Sequence, residues 1–540
     1  MRRLALAAAL AAVLAAPAAA QPSRGGGMDA NLVNRLADAE FNRGQVMQTA
    51  AHLTDRIGGR MTNSPSMRQA EDWTAGKFRE WGLKNVRKDP FDFGRGWSIE
   101  KATVRMVAPR VQTLRSIPVA WTPATKGPLV GEIVVAPLRR ERDFAEWRGK
   151  LRGRIVLTSF PAAPRDETDP RFKRLTAEEM ARYGDYQQPG INLNADTRAL
   201  ERGIFARRLD DFLKAEGAIG WVRMSYRADG RLSGEGSGYK VGETPALPGA
   251  ELTQEDYRKL ARLAKVGPVR IEIDHDVRYD DRDRNGYNVL ADIPGRDPNA
   301  GYVMAGAHLD SWVGADGATD NAAGSAVVME AARLIASLGL QPKRTIRFAL
   351  WSGEEEGLIG SYNYVDKYLA KRPPNPNKEL AALGAYRGSP TFPITPLPGF
   401  KDLHAYFNLD NGSGKIRGVY TEGNFAVAPI FREWFQPFAS LGANTVVARS
   451  TGSTDHVFMS RLGLPAFQFI QDPLDYGSIT HHSDVDTYDH LRPEDLRQAS
   501  VIMAAFLLAA ADRDEPLPRN ITPTQPVDSD PFRYDDPDGN

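Results

Sequence analysis

From Asn285 onward, short apolar runs of strand type alternate with stretches of helical spacing, and polar side chains gather where the runs end. Residues 288–293, 302–307, 345–351 and 405–409 read as strands, and residues 322–338 and 496–511 as helices. This alternation predicts an α/β fold on a doubly wound, mostly parallel sheet, in which ligands sit beyond the carboxyl ends of the strands. Every candidate for chemistry named below falls in such a place.

Upstream the texture differs. Residues 31–81 carry helix-like apolar spacing broken at Ile57-Gly58-Gly59, and residues 102–107 alternate as a half-buried strand does. Short strand-like runs follow at 131–135 and 154–158, then a polar stretch, then a helix-to-strand passage over 212–222. This pattern resembles a protease-associated domain, a β-rich insert of secreted exopeptidases, over residues 119–272. A chain of 540 residues exceeds what one core usually holds. The expected organisation is therefore a discontinuous main domain of 30–118 and 285–512 with the insert between.

The N-terminus runs Met1-Arg2-Arg3, an Ala/Leu-rich stretch through Leu14, then Pro17 and Ala18-Ala19-Ala20 before Gln21. That order of charged, apolar and small segments predicts a leader over 1–20 and export to the periplasm or medium; the alternative is a retained anchor helix, for which the apolar stretch is short. The chain has no cysteine, so neither a disulfide framework nor a lipid-modified cysteine is available. With 69 basic against 68 acidic residues and no basic stripe, nucleic acid is not an expected partner, nor is a membrane. The Pro-rich segment 371–399 lacks periodicity and reads as a lid over the site, and the Pro- and Asp-rich end, 513–540, as a disordered tail.

The candidate site residues each have a plain alternative. His308-Leu309-Asp310 follows a buried strand, whose two-residue repeat lets both side chains project to one side; it is a metal site with its support or an ordinary loop pair. Asp320 of Asp320-Asn321-Ala322-Ala323-Gly324 is a helix cap or a second ligand near His308. Glu354-Glu355-Glu356 closes a strongly apolar strand, and such a triplet is a solvated loop unless two carboxylates divide the labour, one holding a cation and its neighbour a water. Asp410 ends another strand before the turn Asn411-Gly412. His481-His482, two of only eight histidines, sit in a late polar loop.

Together these segments resemble the secreted zinc aminopeptidase family that includes bacterial leucyl aminopeptidases and the plasma glutamate carboxypeptidase-like dipeptidases. The matching motifs are His-x-Asp at His308, Asp-Asn-Ala-Ala-Gly at Asp320, Gly-Glu-Glu with Gly-Leu-Ile-Gly-Ser after it, the strand-end Asp410, and His-Ser-x-x-Asp-Thr at His482, in the family's order over 285–512. The resemblance implies two zinc ions per chain bridged by Asp320, one completed by His308 and Asp410 and the other by Glu355 and His482. It implies Glu354 as general base and Asp310 as the support of His308. His481 stays ambiguous beside His482, and Thr454-Asp455-His456 resembles a further family segment near the site. Three ligating carboxylates against two divalent cations reach neutrality with one bound hydroxide, the nucleophile that two-metal sites generate at neutral pH.

On this reading the chain is a zinc-dependent exopeptidase acting on short peptides. The alternatives are a carboxypeptidase, a glutaminyl cyclase (which uses one zinc) or an inactive binding protein on the same fold. A serine hydrolase is excluded by the absence of any Gly-x-Ser-x-Gly elbow. Acids dominate the motifs and the basic candidates Lys415, Arg417 and Arg449 lie outside them, which favours release of N-terminal residues, from dipeptides included.

Overall fold

The computed structural model describes residues 27–164, 170–185, 193–236, 244–381, 388–390 and 393–520. The expected leader lies outside them. No helix among the described residues is long and apolar enough to cross a membrane.

Two eight-stranded sheets dominate. The first has the order Lys84–Asp92, Asn285–Ile293, Thr345–Trp351, Tyr302–His308, Leu403–Asn408, Ala466–Gln471, Ile416–Tyr420, Thr445–Val447. Its four central strands run parallel, because helices such as Ala323–Ser337 carry the chain over one face between them. The sheet as a whole is mixed: Asn285–Ile293 runs antiparallel to both its neighbours, and Ile416–Tyr420 antiparallel to Ala466–Gln471, while the remaining pairs are parallel. Asn285–Ile293 enters from the second sheet and not through a helical crossover, so nothing forces it parallel.

Side-chain alternation packs this sheet on both faces. Val303, Ala305, Ala307, Phe348, Leu350 and Phe407 join one core with the helices Pro65–Glu80, Ala323–Ser337 and Pro493–Asp512. Met304, Ala349, Trp351 and Tyr406 join a second core on the opposite face with Tyr364, Val365 and Phe458. Each large apolar side chain so buried contributes about 1.5–3 kcal/mol. The sheet is thereby a rigid platform, and the residues that leave its carboxyl edge inherit fixed positions.

The second sheet has the order Gln112–Leu114, Gly96–Ala108, Arg270–Asp280, Leu129–Val135, Arg154–Leu157, Gly220–Met224, Gly249–Leu252, Ser116–Pro118. Val104, Ile133, Ile155, Val222 and Ile273 form its core with Tyr257 and Leu260 of the helix Gln254–Leu263. Its strands extend from Gly96 to Asp280, wider at both ends than the expected 119–272, because Gly96–Ala108 pairs along its length with Arg270–Asp280. Two expected segments are described in part. The described ends of the lid segment form a two-stranded ribbon, Ala370–Lys371 with Thr395–Pro396, while 382–387 and 391–392 lie outside the described residues. The expected tail is docked through Asn520: Leu517 is buried, and Arg519 donates to the carbonyls of Phe400, Lys401 and Leu403. Residues 521–540 lie outside the described set.

Candidate metal centre

The five candidate ligands leave the carboxyl edge of the first sheet or the loops facing it, and they converge on Asp320. His308 is the last residue of the central strand Tyr302–His308. Its Nδ1 donates to the backbone carbonyl of Asp310 at 3.0 Å, which leaves Nε2 to face the carboxylates. Nε2 lies 3.3 Å from Asp320 Oδ1 and 3.3 Å from Asp410 Oδ1. On the other side His482 Nε2 lies 3.0 Å from Glu355 Oε2 and 3.5 Å from Asp320 Oδ2. Two groups of donors therefore share one carboxylate, each facing a different oxygen of it.

Asp320 is placed by its surroundings. Gly317, in the left-handed region at φ 57°, turns the chain ahead of it, and a Cβ there would fall 2.3 Å from that of Ser311. The carboxylate of Asp486 receives the Thr319 amide and hydroxyl at 2.8 Å on one oxygen and the Asp320 amide at 3.0 Å on the other. Asn321 follows through a cis peptide; its amide donates to the Leu409 carbonyl at 3.0 Å and to Asp410 Oδ1 at 3.2 Å, tying the two ligand loops together.

Arg60 supports the same loop from beneath. Wholly buried, it donates to the carbonyls of Leu53, Gly58, Leu309, Asp316 and Gly317 at 2.6–3.1 Å. Asp310 supports His308 through its backbone; its carboxylate stands 3.8 Å from Nδ1 and instead accepts the Glu355 amide at 3.1 Å. Thr454, Asp455 and His456 stand behind the ligands. Thr454 accepts a hydrogen bond from Asn408 at 2.9 Å, and His456 Nε2 faces Glu422 at 3.2 Å.

Asp310, Asp320, Asp410, Asp455 and Asp486 are all buried, a heavy load of negative charge. Burial, the charges of Asp410, Asp455 and Glu355 adding to it against the pull of His308, pushes the Glu354 carboxyl well above its ordinary range. Burial likewise pushes Glu355 up to about 7, Asp455 to about 8 and Asp486 to about 7. Asp320 goes the other way: burial alone would raise it, but the hydrogen bond from His308 and the charges of His481, His482 and His308 hold it below the carboxylate range. Its Oδ2 is nevertheless buried without a hydrogen-bond partner, facing His482 and, at 3.9 Å, His481 Nε2. An orphaned buried oxygen beside three imidazoles and excess carboxylates is a donor set that fits zinc.

Sequence comparison agrees with this geometry. Residues 288–507 match peptidase family M28. The chain carries a peptidase family M28 domain. It is accordingly a metallo-exopeptidase. Over 473 residues it is 26% identical to "Carboxypeptidase Q" of Bos taurus, covering 87% of this chain and 86% of that one. Among solved structures the fold is similar to a peptidase M28 precursor from Shewanella amazonensis, with a TM-score of 0.64 at 23% identity, over 91% of this chain and 99% of that one. It is also similar to a zinc aminopeptidase from Bacillus subtilis, with a TM-score of 0.52 at 19% identity, over 85% and 93%. Family and donor chemistry together imply zinc.

Three residues at the site have roles that no local signal gives. Arg60 follows two glycines and reads as a surface charge. Asp486 belongs to the late histidine motif, but its role depends on a loop more than 160 residues away. Glu235, whose Oε1 lies 2.7 Å from His482 Nδ1, comes from the segment following the strand Gly220–Met224 of the second sheet.

Proposed function

We propose that this chain is an exported two-zinc exopeptidase that releases N-terminal residues from short peptides, dipeptides included. The carrying observation is the meeting of two donor groups on opposite oxygens of Asp320: His308 and Asp410 on one, Glu355 and His482 on the other. Zinc held there supplies Lewis acidity, polarising a peptide carbonyl and making water a nucleophile at neutral pH.

The chain's own residues do the rest. Glu354 takes a proton from the attacking water and delivers it to the departing amine. Asp310 and Asp486 hold the ligand loops in place, and Trp312, Ala315 and Ser483 line the small cleft beside Asp320, Glu355 and His482. Excess carboxylate around the cleft favours a substrate ammonium. The Ala-rich start of the chain supports export, and the second sheet, interrupting the first in sequence, supports a protease-associated-like insert.

One observation favours a carboxypeptidase instead. Arg227 places its guanidinium 3.3 Å from His481 Nδ1, where it could meet a terminal carboxylate. Arg227 is also held by the carbonyls of Gly477 and His481, as Arg417 is by Asp472 and Arg449 by the carbonyls of Arg182 and Asp185.

Peptides blocked at either end decide between the readings. N-acetylation should abolish cleavage while C-terminal amidation leaves it largely intact; the reverse makes the enzyme a carboxypeptidase. Ring closure of N-terminal glutamine without peptide cleavage would indicate a cyclase, and no turnover with zinc bound a binding protein.

A further inference from the structure

His481 and His482 stack with ring centroids 3.8 Å apart, and both present Nε2 to the same oxygen of Asp320, at 3.9 and 3.5 Å. What distinguishes them lies on the opposite side of each ring, and it comes from one short stretch after the second-sheet strand Gly220–Met224.

His482 Nδ1 meets Glu235 Oε1 at 2.7 Å. A carboxylate accepts, so Nδ1 carries a proton and the neutral ring has its lone pair on Nε2, aimed at the space between Glu355 and Asp320. His481 Nδ1 meets the guanidinium of Arg227 at 3.3 Å. A guanidinium can only donate, so this ring accepts at Nδ1, carries its proton on Nε2 and has no lone pair there for a metal. Arg227 also binds the backbone carbonyl of His481, which fixes the guanidinium to that residue.

Both partners are braced. The Tyr226 hydroxyl donates to Glu235 Oε1 at 2.5 Å, and Arg223 donates to the Glu235 carbonyl at 2.8 Å while pairing with Glu251 at 2.7 Å. Arg223 and Glu251 lie on adjacent strands, so Glu235 is fixed to the second sheet itself.

We propose that the second-sheet region selects His482 over His481 as the imidazole ligand, with Glu235 and Arg227 as the positioning residues that set where each ring holds its proton. The inference rests on the two-zinc reading. It makes the two metal positions unequal: His308 is oriented by a backbone carbonyl of its own loop, whereas His482 is oriented by a carboxylate of another sheet. Seating of the second sheet then controls one metal and not the other. A carboxylate partner of a ligating histidine is typically worth ten- to a hundredfold in metal affinity.

The test is competition for zinc between a chromophoric chelator and the full mature protein, resolved into successive affinities. Glu235→Ala should weaken one zinc by about ten- to a hundredfold and leave the other unchanged, with Glu235→Gln intermediate because its carbonyl still accepts. His482→Ala should lose that same zinc, and His481→Ala should keep both. Thermal melting in saturating zinc reports whether each variant is folded. Unchanged affinities in both Glu235 variants, equal weakening of both zincs, or loss of a zinc in His481→Ala but not His482→Ala would overturn the proposal. A wild type holding a single zinc would contradict the two-zinc reading; the selection is then judged on that ion, and it fails if Glu235→Ala leaves its affinity unchanged.

Discussion

Asp486 receives the backbone amide of Asp320 at 3.0 Å, so the carboxylate shared by both donor groups is held in place by a residue of the same loop that carries His482. Its other oxygen takes the amide and hydroxyl of Thr319 at 2.8 Å. Asp486→Asn presents an NH2 where one of these three donors must be accepted. Zinc affinity should fall about ten- to a hundredfold with overall fold retained, as measured by chelator competition and circular dichroism. Wild-type affinity would show that the Asp320 loop holds its shape without this contact.

The neighbours Glu354 and Glu355 should fail differently. Glu354→Gln removes the proton carrier and should lower kcat at least about a hundredfold with zinc content unchanged. Glu355→Gln should lose affinity for one zinc, because its Oε2 faces His482 Nε2 at 3.0 Å. Full activity in Glu354→Gln would mean that the roles of the pair are exchanged.

The ligands were legible because they end apolar strands or stand in short polar loops after them, where period-two patterning and the edge of an α/β sheet coincide. Outer strands were harder to see. Lys84–Asp92 is a charged run containing Pro90 at the sheet's edge, with only Asp89 and Phe91 buried, and Ala466–Gln471 is buried throughout yet broken by Gln468 and Gln471. Those glutamines meet partners distant in sequence: Gln468 accepts from Asn408, and Gln471 donates to the carbonyls of Gly412 and Gly414. Arg60 and Glu235 stand in no motif, and Asp486 stands in one that does not give its role, for the same reason: what defines each is a contact that no local pattern encodes.

Arg60 offers a stability test apart from the chemistry. Replacing it with alanine leaves five backbone carbonyls without this donor and a cavity beneath the Asp320 loop. The cost should exceed about 4 kcal/mol, seen as a large fall in Tm or failure to accumulate folded protein. A loss under about 1 kcal/mol would mean the loop is held from elsewhere.

The pH dependence of stability should carry the mark of Glu40, far from the ligands in sequence and fully buried. Burial first, then the neighbouring Glu330 carboxylate, pushes its pKa from an ordinary 4.5 up to about 9, against the opposing pull of Arg333 and Arg497. The folded chain thus keeps a proton that the unfolded chain releases above about 4.5, so this group's contribution is complete below that pH and declines as pH rises toward 9. Glu40→Gln removes the decline. Its Tm relative to wild type should be higher at pH 9 than at pH 5 by a few degrees, the shift that about 1–2 kcal/mol makes in a domain of a few hundred residues. A Tm difference independent of pH would show that Glu40 is ionised in the fold.

The central claim is that Asp320 bridges two zinc ions. It is tested most directly by anomalous diffraction at the zinc edge from crystals of fully active, metal-loaded enzyme. The account predicts two peaks per chain, one among His308, Asp320 and Asp410 and one among Asp320, Glu355 and His482. A single peak in fully active enzyme, or a second peak away from Asp320, would contradict it.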